Sequence, residues 1–342
     1  MNPRSCWCGN EQLEGFSPEY SYCKACGTLV SQAGLRAEQT EVRHDEKDFY
    51  GKNYWLSHQK DDLGYPDIYD RARSDLPERC VHWLRTVLKY KIPPARTLEL
   101  GCAHGGFVAL LRAAGYDASG LELSPWVAGY AIKTFGTPML VGRIEEQGVE
   151  PGSLDVIMMM DVLEHLPEPT KTVERCLKLL SPTGALIIQT PCFPEGLSHD
   201  RMLREKSDFL PQLKATEHLY LFSEPSIRRF LSRLGIVHLV LEDAIFAQYD
   251  MFLVAGKTPL AVHTEQQKET ALTTNPQGRI VLALLDADQR RRQLDQRLLE
   301  SEADRAARLD VINRLSKQLA ESEADRAARL RVIEDLQNKH RK

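Results

Sequence analysis

Four cysteines form two short pairs within the first 26 residues, Cys6 with Cys8 and Cys23 with Cys26. Thiolates that two tight turns bring together match the tetrahedral, all-sulfur coordination of structural Zn²⁺. They suit a metal site in a reducing compartment better than a disulfide framework. We therefore predict a small zinc ribbon over residues 1–35, the alternative being a set of unmetallated surface thiols.

The segment TLELGCAHGGF, residues 97–107, joins an apolar run suited to a buried parallel strand to a glycine-rich turn. Glycines let a ligand approach the backbone closely, and Glu99 places a carboxylate at the strand end where open α/β sheets bind ligands. Either a nicotinamide dinucleotide or S-adenosylmethionine would fit this turn. The residues predicted to contact such a cofactor here are Glu99, Gly101, Ala103, His104 and Gly105.

A further carboxylate, Glu122 in GLELS, follows about 20 residues after the glycine turn. This spacing is typical of an acid that accepts hydrogen bonds from both ribose hydroxyls of a nucleoside cofactor. We predict that Glu122 and its neighbour Leu123 line the nucleoside end of the site. The alternative for Glu122 is a solvated acid at a strand end.

Asp161, Glu164 and His165 follow the apolar run LDVIMMM directly. They are therefore expected at the carboxyl end of a central strand, beside the reactive end of the cofactor, where a substrate must bind. We predict that Asp161 contacts the cofactor. Carboxylate and imidazole groups could instead hold a divalent metal at Asp161, Glu164 and His165, and this alternative stays open.

Strands and helices alternate along the chain in a way that would position these groups. The predicted strands are 97–101, 118–123, 138–142, 154–160, 185–190, 237–242 and 246–255. The predicted helices are 75–90, 107–114, 125–135, 170–180 and 224–234. The alternation predicts a doubly wound, Rossmann-like α/β fold, and the two closely spaced final strands predict an antiparallel hairpin. A seven-stranded sheet with that ending is the layout of class I methyltransferases, which favours S-adenosylmethionine as the cofactor.

The C-terminal part contains an internal repeat, because residues 301–315 recur nearly unchanged at 322–336, an offset of 21 residues. Three heptads per repeat are typical of a left-handed coiled coil. One register places on the seam Leu294, Leu298, Ile312, Leu315, Leu319, Ile333 and Leu336, together with Arg305, Arg308, Arg326 and Arg329. Apolar seam residues need a partner surface, so we predict a homo-oligomer or an assembly partner, the alternative being one solvated helix. As the chain stops after two copies, we expect the natural polypeptide to continue.

The 342 residues are thus predicted to form five parts. They are the ribbon at 1–35, a connecting segment with an aromatic element at 36–74, a methyltransferase domain at 75–257, a linker at 258–276 and a helical coiled-coil tail at 277–342. No apolar run approaches the roughly 20 residues that span a bilayer, and no signal peptide is recognisable, so we predict a cytoplasmic protein.

Five segments together resemble the class I methyltransferase family, which includes ubiquinone-type O-methyltransferases and sugar methyltransferases. They are ELGCAHGGF, GLELS, DVLEHLPEP, ALIIQTP and EHLYLFSEPSIRRFLSRLG, and the likeness extends over residues 75–256. The cysteine pairs followed by the aromatic element FYGKNYW also resemble the zinc-bearing sugar C-methyltransferases of deoxysugar pathways. Two features depart from these families: Ala103 replaces a common glycine, and the coiled-coil tail replaces an extra C-terminal domain.

The resemblance implies which residues face the acceptor. Glu217 and His218 in TEHLYLF align with an acid and a histidine that face the sugar. His165 aligns with a histidine on the opposite side of the cleft, and Tyr54 with a tyrosine of the aromatic element. A sugar hydroxyl is a poor acid, so methyl transfer needs a base, and a neutral histidine oriented by a carboxylate suits that role. We predict His218 as the base, with Glu217 and His165 positioning it or sharing the role.

These expectations combine into an S-adenosylmethionine-dependent methyltransferase with a structural zinc ion, which O-methylates a sugar of a bacterial surface polysaccharide or its precursor. The alternatives are a sugar C-methyltransferase, an RNA base methyltransferase with a zinc ribbon, and a coiled-coil scaffold with an idle methyltransferase fold. A net charge of −4 and the lack of a basic stretch interleaved with aromatics argue against nucleic acid. The set Glu99, Gly101, Glu122 and His218 argues against an idle fold.

Overall fold

The structure is a computed structural model that describes residues 3–340 of the chain. The strands in this range are β1 (Glu14–Gly15), β2 (Tyr20–Cys23), β3 (Thr28–Ser31), β4 (Arg96–Leu100), β5 (Asp117–Glu122), β6 (Met139–Val141), β7 (Leu154–Met160), β8 (Leu180–Pro191), β9 (Tyr220–Leu221), β10 (His238–Glu242) and β11 (Asp250–Gly256). The helices are α1 (Ile68–Ser74), α2 (Val81–Tyr90), α3 (Gly106–Ala114), α4 (Pro125–Phe135), α5 (Pro169–Leu179), α6 (His199–Glu205), α7 (Glu224–Arg233), α8 (Glu265–Thr273) and α9 (Gly278–His340). Two π-helical segments, Tyr54–Asp62 and Leu76–Cys80, and 3₁₀ turns at Ala37–Thr40, Ile144–Glu146, Leu163–His165 and Leu210–Gln212 complete the described helical structure.

The central sheet has the strand order β10-β11-β8-β7-β4-β5-β6, seven strands within residues 3–340. Strands β4 to β8 pair in parallel, whereas β11 pairs antiparallel with both β8 and β10. This confirms the predicted doubly wound sheet with an antiparallel final hairpin. The last strand was expected from residue 246 but begins at Asp250, because the Asp250 N–H donates to the Phe246 carbonyl (2.8 Å) and closes a turn before the strand.

Helices cover both faces of the central sheet. On one face α2 and α3 pack together, with the rings of Trp83 and Phe107 5.3 Å apart between centroids. On the other face α5 and α7 bury Leu177 and Phe230. Burying such a side chain contributes roughly 1.5–3 kcal/mol, so each amphipathic helix is held by its apolar stripe.

A small antiparallel sheet, β1-β2-β3-β9, carries Cys23 at the end of β2, whereas Cys6, Cys8 and Cys26 lie outside its strands. Its first three strands come from the N-terminal region, but β9 comes from the loop that precedes α7. The ribbon core is continuous with the core of the central sheet, because Trp7 packs against Phe222 and Phe230 at 6.4 and 5.0 Å between ring centroids. The predicted N-terminal ribbon is therefore docked on the methyltransferase fold.

The segment predicted as a linker, 258–276, contains α8, whose Leu272 is buried. The side-chain amide of Asn275 donates to the Ala113 carbonyl at the end of α3 (2.7 Å). The chain divides into two compact units, one ending at Leu285 and the other beginning at Asp286. The second unit is helical, and its side chains are exposed over residues 289–339.

No helix within residues 3–340 combines the length and the apolar character that crossing a bilayer requires.

We predict that exposed apolar side chains of α9 make the chain self-associate. In the single chain, Ile312 and Ile333 are 57% and 49% exposed. Self-association would bury both side chains, so replacing them by Asp would place charges in the buried seam. Analytical ultracentrifugation of the full chain should therefore give a smaller species for Ile312→Asp/Ile333→Asp than for the wild type. Asn313→Asp, which lies outside the seam, is the control, and equal masses for all three proteins would contradict the prediction.

Candidate active site

Two adjoining cavities open at the carboxyl ends of β4, β5 and β7, the edge at which open α/β sheets bind ligands. The first, which we call the β5 cavity, is lined by residues that include Glu122 and Leu123. The second, the central cavity, is lined by residues that include Glu217 and His218. Its volume of about 340 Å³ lies within the range of small-molecule sites. The two cavities share Tyr54, Trp55, Gly101, Asp161 and His165.

Four residues lining these cavities have positive φ angles: Gly101 (φ +64°), Ala103 (φ +48°), Gly142 (φ +103°) and Asp161 (φ +57°). A Cβ atom on Gly101 would lie 2.7 Å from a Val162 methyl group, so glycine is needed there for space as well as for conformation. At other residues such conformations cost on the order of 1–3 kcal/mol and cluster at ligand sites. The strain supports a ligand-binding role for the turns after β4 and β7.

Glu122 and Glu99 end neighbouring strands but differ in their partners. The Glu122 carboxylate accepts hydrogen bonds from the backbone N–H groups of Ala103 (3.1 Å) and Leu123 (2.8 Å). The buried Oε2 of Glu99 has no hydrogen-bond partner among the described residues, and burial together with the Glu122 charge raises the pKa of Glu99 well above its usual range. An unpartnered acceptor in the central cavity fits a cationic group such as the amino group of S-adenosylmethionine, and Glu122 fits its ribose.

His104 lines the central cavity, but both of its ring nitrogens are engaged. Nδ1 accepts from the Gly106 N–H (3.0 Å), and Nε2 lies 3.2 Å from Oδ2 of Asp75. Burial disfavours ionised Asp75, but the hydrogen bond from His104 and two nearby arginines lower the pKa of Asp75 to about 2. Gly105 (φ +75°) lines neither cavity, and a Cβ there would lie 2.9 Å from Ala131. Of the residues predicted in this turn, Gly105 is thus the one that packs behind it.

Asp161 lies between the two cavities with its carboxylate held by protein groups. Oδ2 accepts from the Arg79 guanidinium (3.1 Å), and Oδ1 accepts from the Gln189 side-chain amide (2.9 Å). These two donors fix the side chain while leaving each oxygen a free lone pair.

Glu217 lines the central cavity from the loop before β9 and is 3% exposed. Its Oε2 accepts from the hydroxyl of Tyr54 (2.8 Å), and its Oε1 lies 2.9 Å from Nε2 of His58. The structure thus brings the predicted tyrosine and the predicted acid together. They meet because the π-helical segment Tyr54–Asp62 packs against the loop before β9.

A backbone carbonyl orients His218. Nδ1 lies 2.7 Å from the carbonyl oxygen of Gln212, which can only accept, so Nδ1 carries the proton and Nε2 carries the lone pair. His165 stands 4.9 Å away between ring centroids, and its Nδ1 is 3.2 Å from the Tyr50 hydroxyl. Burial lowers the pKa of His165 and lowers that of His218 well below the usual value. The site therefore contains two adjacent histidines that are neutral near pH 7.

For a divalent metal, the structure offers a different set of possible ligands from the one predicted. Ligand atoms of Glu164, His165 and His218 lie within 4.8 Å of one another, and among the described residues Asp161 is not part of this group. Glu164 accepts from the Thr190 hydroxyl (2.9 Å), and burial raises the pKa of Glu164 well above its usual range. The group that the structure brings together thus shares Glu164 and His165 with the predicted ligand set and has His218 in place of Asp161.

The four N-terminal cysteines converge on one point. Their sulfur atoms lie within 4.8 Å of one another, with Cys6 to Cys26 at 3.4 Å and Cys8 to Cys23 at 3.6 Å. Four Zn–S bonds of about 2.3 Å would place tetrahedral sulfur atoms about 3.8 Å apart. The side-chain amide of Asn10 also donates to the Cys23 sulfur (3.4 Å). The cluster is compatible with a structural zinc ion.

The ribbon holds the loop that carries His218. The hydroxyl of Tyr20 donates to the His218 carbonyl (2.8 Å), and the Ser31 N–H donates to the Leu219 carbonyl (3.0 Å). From the other side, the Leu219 N–H donates to the carbonyl of Glu164 (2.7 Å). The loop is therefore fixed between the ribbon and the segment after β7.

Sequence reasoning did not single out several residues at the site. Tyr50 and Trp55 line the cavities. Both belong to the aromatic element FYGKNYW, whose composition could have indicated them. His58 and Asp62 continue the same helical face at intervals of four residues from Tyr54. Asp250 also lines the central cavity, but the sequence did not indicate it because it stands inside a predicted strand. Burial and the Asp161 charge raise the pKa of Asp250 to about 8.

Residues 72–239 match the sequence model of the family described as "Methyltransferase domain". Ubiquinone biosynthesis O-methyltransferase of Xanthomonas campestris pv. campestris (strain B100) is 28% identical over 129 residues, which cover 34% of this chain and 54% of that protein. The protein of the same name from Methylococcus capsulatus is 31% identical over 101 residues, 28% of this chain and 43% of that protein. The chain spans about half the length of the curated relatives it matches.

Two solved structures illustrate the structural likeness. Magnesium protoporphyrin IX methyltransferase from Synechocystis PCC 6803 has a TM-score of 0.42 and 18% identity, covering 60% of this chain and 98% of that one. A SAM-dependent methyltransferase from Aquifex aeolicus has a TM-score of 0.41 and 15% identity, covering 55% and 95% respectively.

Glu99→Gln is expected to weaken the binding of S-adenosylmethionine. Losing a hydrogen bond to a charged group costs about 1.5–3 kcal/mol of binding free energy, which corresponds to roughly a 10- to 100-fold rise in Kd. Because the pKa of Glu99 is raised, the carboxyl is protonated at low pH, so binding of a cation should tighten as pH rises through that pKa. Isothermal titration calorimetry at several pH values measures both effects. The control is Asp117→Asn, which changes an exposed acid at the start of β5. A Kd unchanged by Glu99→Gln would refute the assignment of Glu99.

Cys23→Ser is expected to abolish zinc binding and to lower methyl transfer about tenfold or more, because the ribbon positions the loop of His218. The Kd for S-adenosylmethionine should stay within about twofold, since Glu99 and Glu122 lie on other elements. Elemental analysis, calorimetry and turnover measure the three quantities, with Cys192→Ser as the control. Full turnover in a zinc-free protein would show that the ribbon does not position the loop.

Proposed function

We propose that this chain, whose residues 72–239 form a class I S-adenosylmethionine-dependent methyltransferase domain, methylates a hydroxyl group of a sugar with His218 as the general base. The observation that most directly supports this role is the hydrogen bond from Nδ1 of His218 to the Gln212 carbonyl (2.7 Å). It leaves Nε2 unprotonated on a side chain that lines the central cavity. The ring is thereby prepared to accept a proton.

S-adenosylmethionine supplies a methyl group that is already activated on a sulfonium. The residues of the chain must therefore align the acceptor oxygen and take its proton as the new O–C bond forms, while the electron pair of the breaking C–S bond stays on sulfur. Nε2 of His218 accepts that proton, and Glu217 and His165 hold the acceptor or the base in place. For the donor, we assign the ribose to Glu122 and the amino group to Glu99.

The lining of the central cavity supports a polyhydroxylated acceptor. The aromatic side chains of Tyr65, Phe246 and Tyr249 are among the lining residues, and the Glu217 and Asp250 carboxyl groups can accept hydrogen bonds from hydroxyls. The indole N–H of Trp55, which lines both cavities, has no partner among the described residues. A bacterial surface polysaccharide or its precursor is the source of the sugar that the family resemblance implies.

We predict that His218→Ala lowers kcat roughly 100- to 10,000-fold, the usual contribution of a general base. The Kd for S-adenosylmethionine should remain within about twofold, because the assigned donor contacts lie elsewhere. Since burial lowers the pKa of His218, the wild type should keep its activity on acidification until well below pH 6.5. The assay measures S-adenosylhomocysteine release with nucleotide-linked sugars and with extracted surface glycans.

Exposed His44 provides the control substitution, His44→Ala. Mass spectrometry and NMR of the product separate an O-methyl from a C-methyl group and so distinguish the O- from the C-methyltransferase. Wild-type turnover in His218→Ala would remove this residue from the mechanism. Methylation of RNA but not of sugars would overturn the acceptor class.

A further inference from the structure

His58 stands between two carboxylates at the edge of the central cavity. Its Nε2 lies 2.9 Å from Oε1 of Glu217, and its Nδ1 lies 2.6 Å from Oδ2 of Asp62. The Glu217 side chain is 4% exposed, whereas the Asp62 side chain is 66% exposed. His58 and Asp62 do not themselves line the cavity. The histidine thus links a buried carboxylate of the cavity to one in solvent.

This geometry selects one protonation state of the imidazole ring. Ionised carboxylate oxygens only accept hydrogen bonds, and a neutral imidazole has a single N–H, so only the imidazolium form donates to both partners at once. The charged groups that face the ring are Asp62 from its own segment and Glu217 from the loop before β9, with Phe49 and Tyr54 covering its sides at 5.4 and 5.3 Å between ring centroids. Burial lowers the pKa of His58, but the two carboxylates outweigh it and raise the pKa above the usual value.

Two side chains in the described part of the chain hold the Glu217 carboxylate by hydrogen bonds. Apart from His58, its described hydrogen-bond partner is the neutral hydroxyl of Tyr54, at 2.8 Å from Oε2. Of these two partners, only His58 can carry a positive charge. His58 therefore provides the charge-assisted hydrogen bond that holds the Glu217 carboxylate in place.

We propose that His58, backed by Asp62, orients Glu217 through a charge-assisted hydrogen bond, so that the Glu217 carboxylate accepts hydrogen bonds from the hydroxyls of the acceptor sugar. The inference rests on the proposed function, in which Glu217 contacts the acceptor. His58 and Asp62 are positioning residues, because they act through Glu217. Their loss should weaken acceptor binding more than it slows turnover.

The direct test is an NMR titration of the histidine rings in the full chain, which needs no acceptor. In the wild type, His58 should titrate above pH 6.5, and Glu217→Gln should lower its pKa, with a smaller decrease in Asp62→Asn because Asp62 is exposed. Asp61→Asn changes the neighbouring exposed acid and should have no effect. A His58 that titrates at or below 6.5, or that ignores Glu217→Gln, would overturn the proposal even if the enzyme methylates sugars as proposed.

Kinetics supply the second test. His58→Gln keeps a side-chain N–H but not the charge, so at neutral pH it should raise KM for the sugar about tenfold and change kcat less than about twofold. Wild-type KM should rise as pH increases through the pKa of His58, and this dependence should vanish in His58→Gln. The Kd for S-adenosylmethionine and the melting temperature report whether the fold is intact. An unchanged KM would contradict the proposal, as would a loss confined to kcat.

Discussion

The pairing of β3 with β9 is the contact on which the proposed acceptor side of the site depends. Through Leu29 opposite Leu221 and Val30 opposite Tyr220, it joins the cysteine ribbon to the residues that directly follow His218. A ribbon of about 35 residues buries too little apolar surface to fold alone, and a metal held by four thiolates would supply the missing stability. A zinc ion bound by the four cysteines would thereby help to determine where His218 lies.

The central cavity contains several carboxylates, and their different partners explain how they coexist. Like charges at short range push one carboxyl to its neutral form unless a cation or donor faces it. Asp161 has an arginine and an amide, and Glu217 has a histidine and a tyrosine. Within residues 3–340, one oxygen of Glu99 has no hydrogen-bond partner, and burial raises the pKa of Asp250 to about 8. The carboxylates without protein partners are therefore the ones that a bound ligand would satisfy.

Local patterns predicted most of the fold and the acidic residues at the carboxyl ends of β4 and β5. The bounds of α4 and β7 agree with those predicted, because long periodic segments carry their own signal. Glu99 and Glu122 could be proposed because each position follows from a strand end. The contact of His58 with Glu217 could not, because these residues are 159 positions apart and meet only through the packing of the N-terminal segment. Likewise, no sequence pattern within residues 258–276 predicted that α8 would pack on the domain.

The proposed donor and acceptor sides of the site come from different parts of the chain. Glu99, Glu122 and the strained turn at Gly101 all lie within residues 72–239, the part matched by the methyltransferase family. Tyr54 and His58 precede that part, yet they hold Glu217 from outside it. The sequence likeness is confined to the domain and therefore supports the identity of the methyl donor. The identity of the acceptor must be inferred from the N-terminal segment and the ribbon. Chains with the same domain but other N-terminal regions should accordingly present a different acceptor wall, even with every donor contact retained.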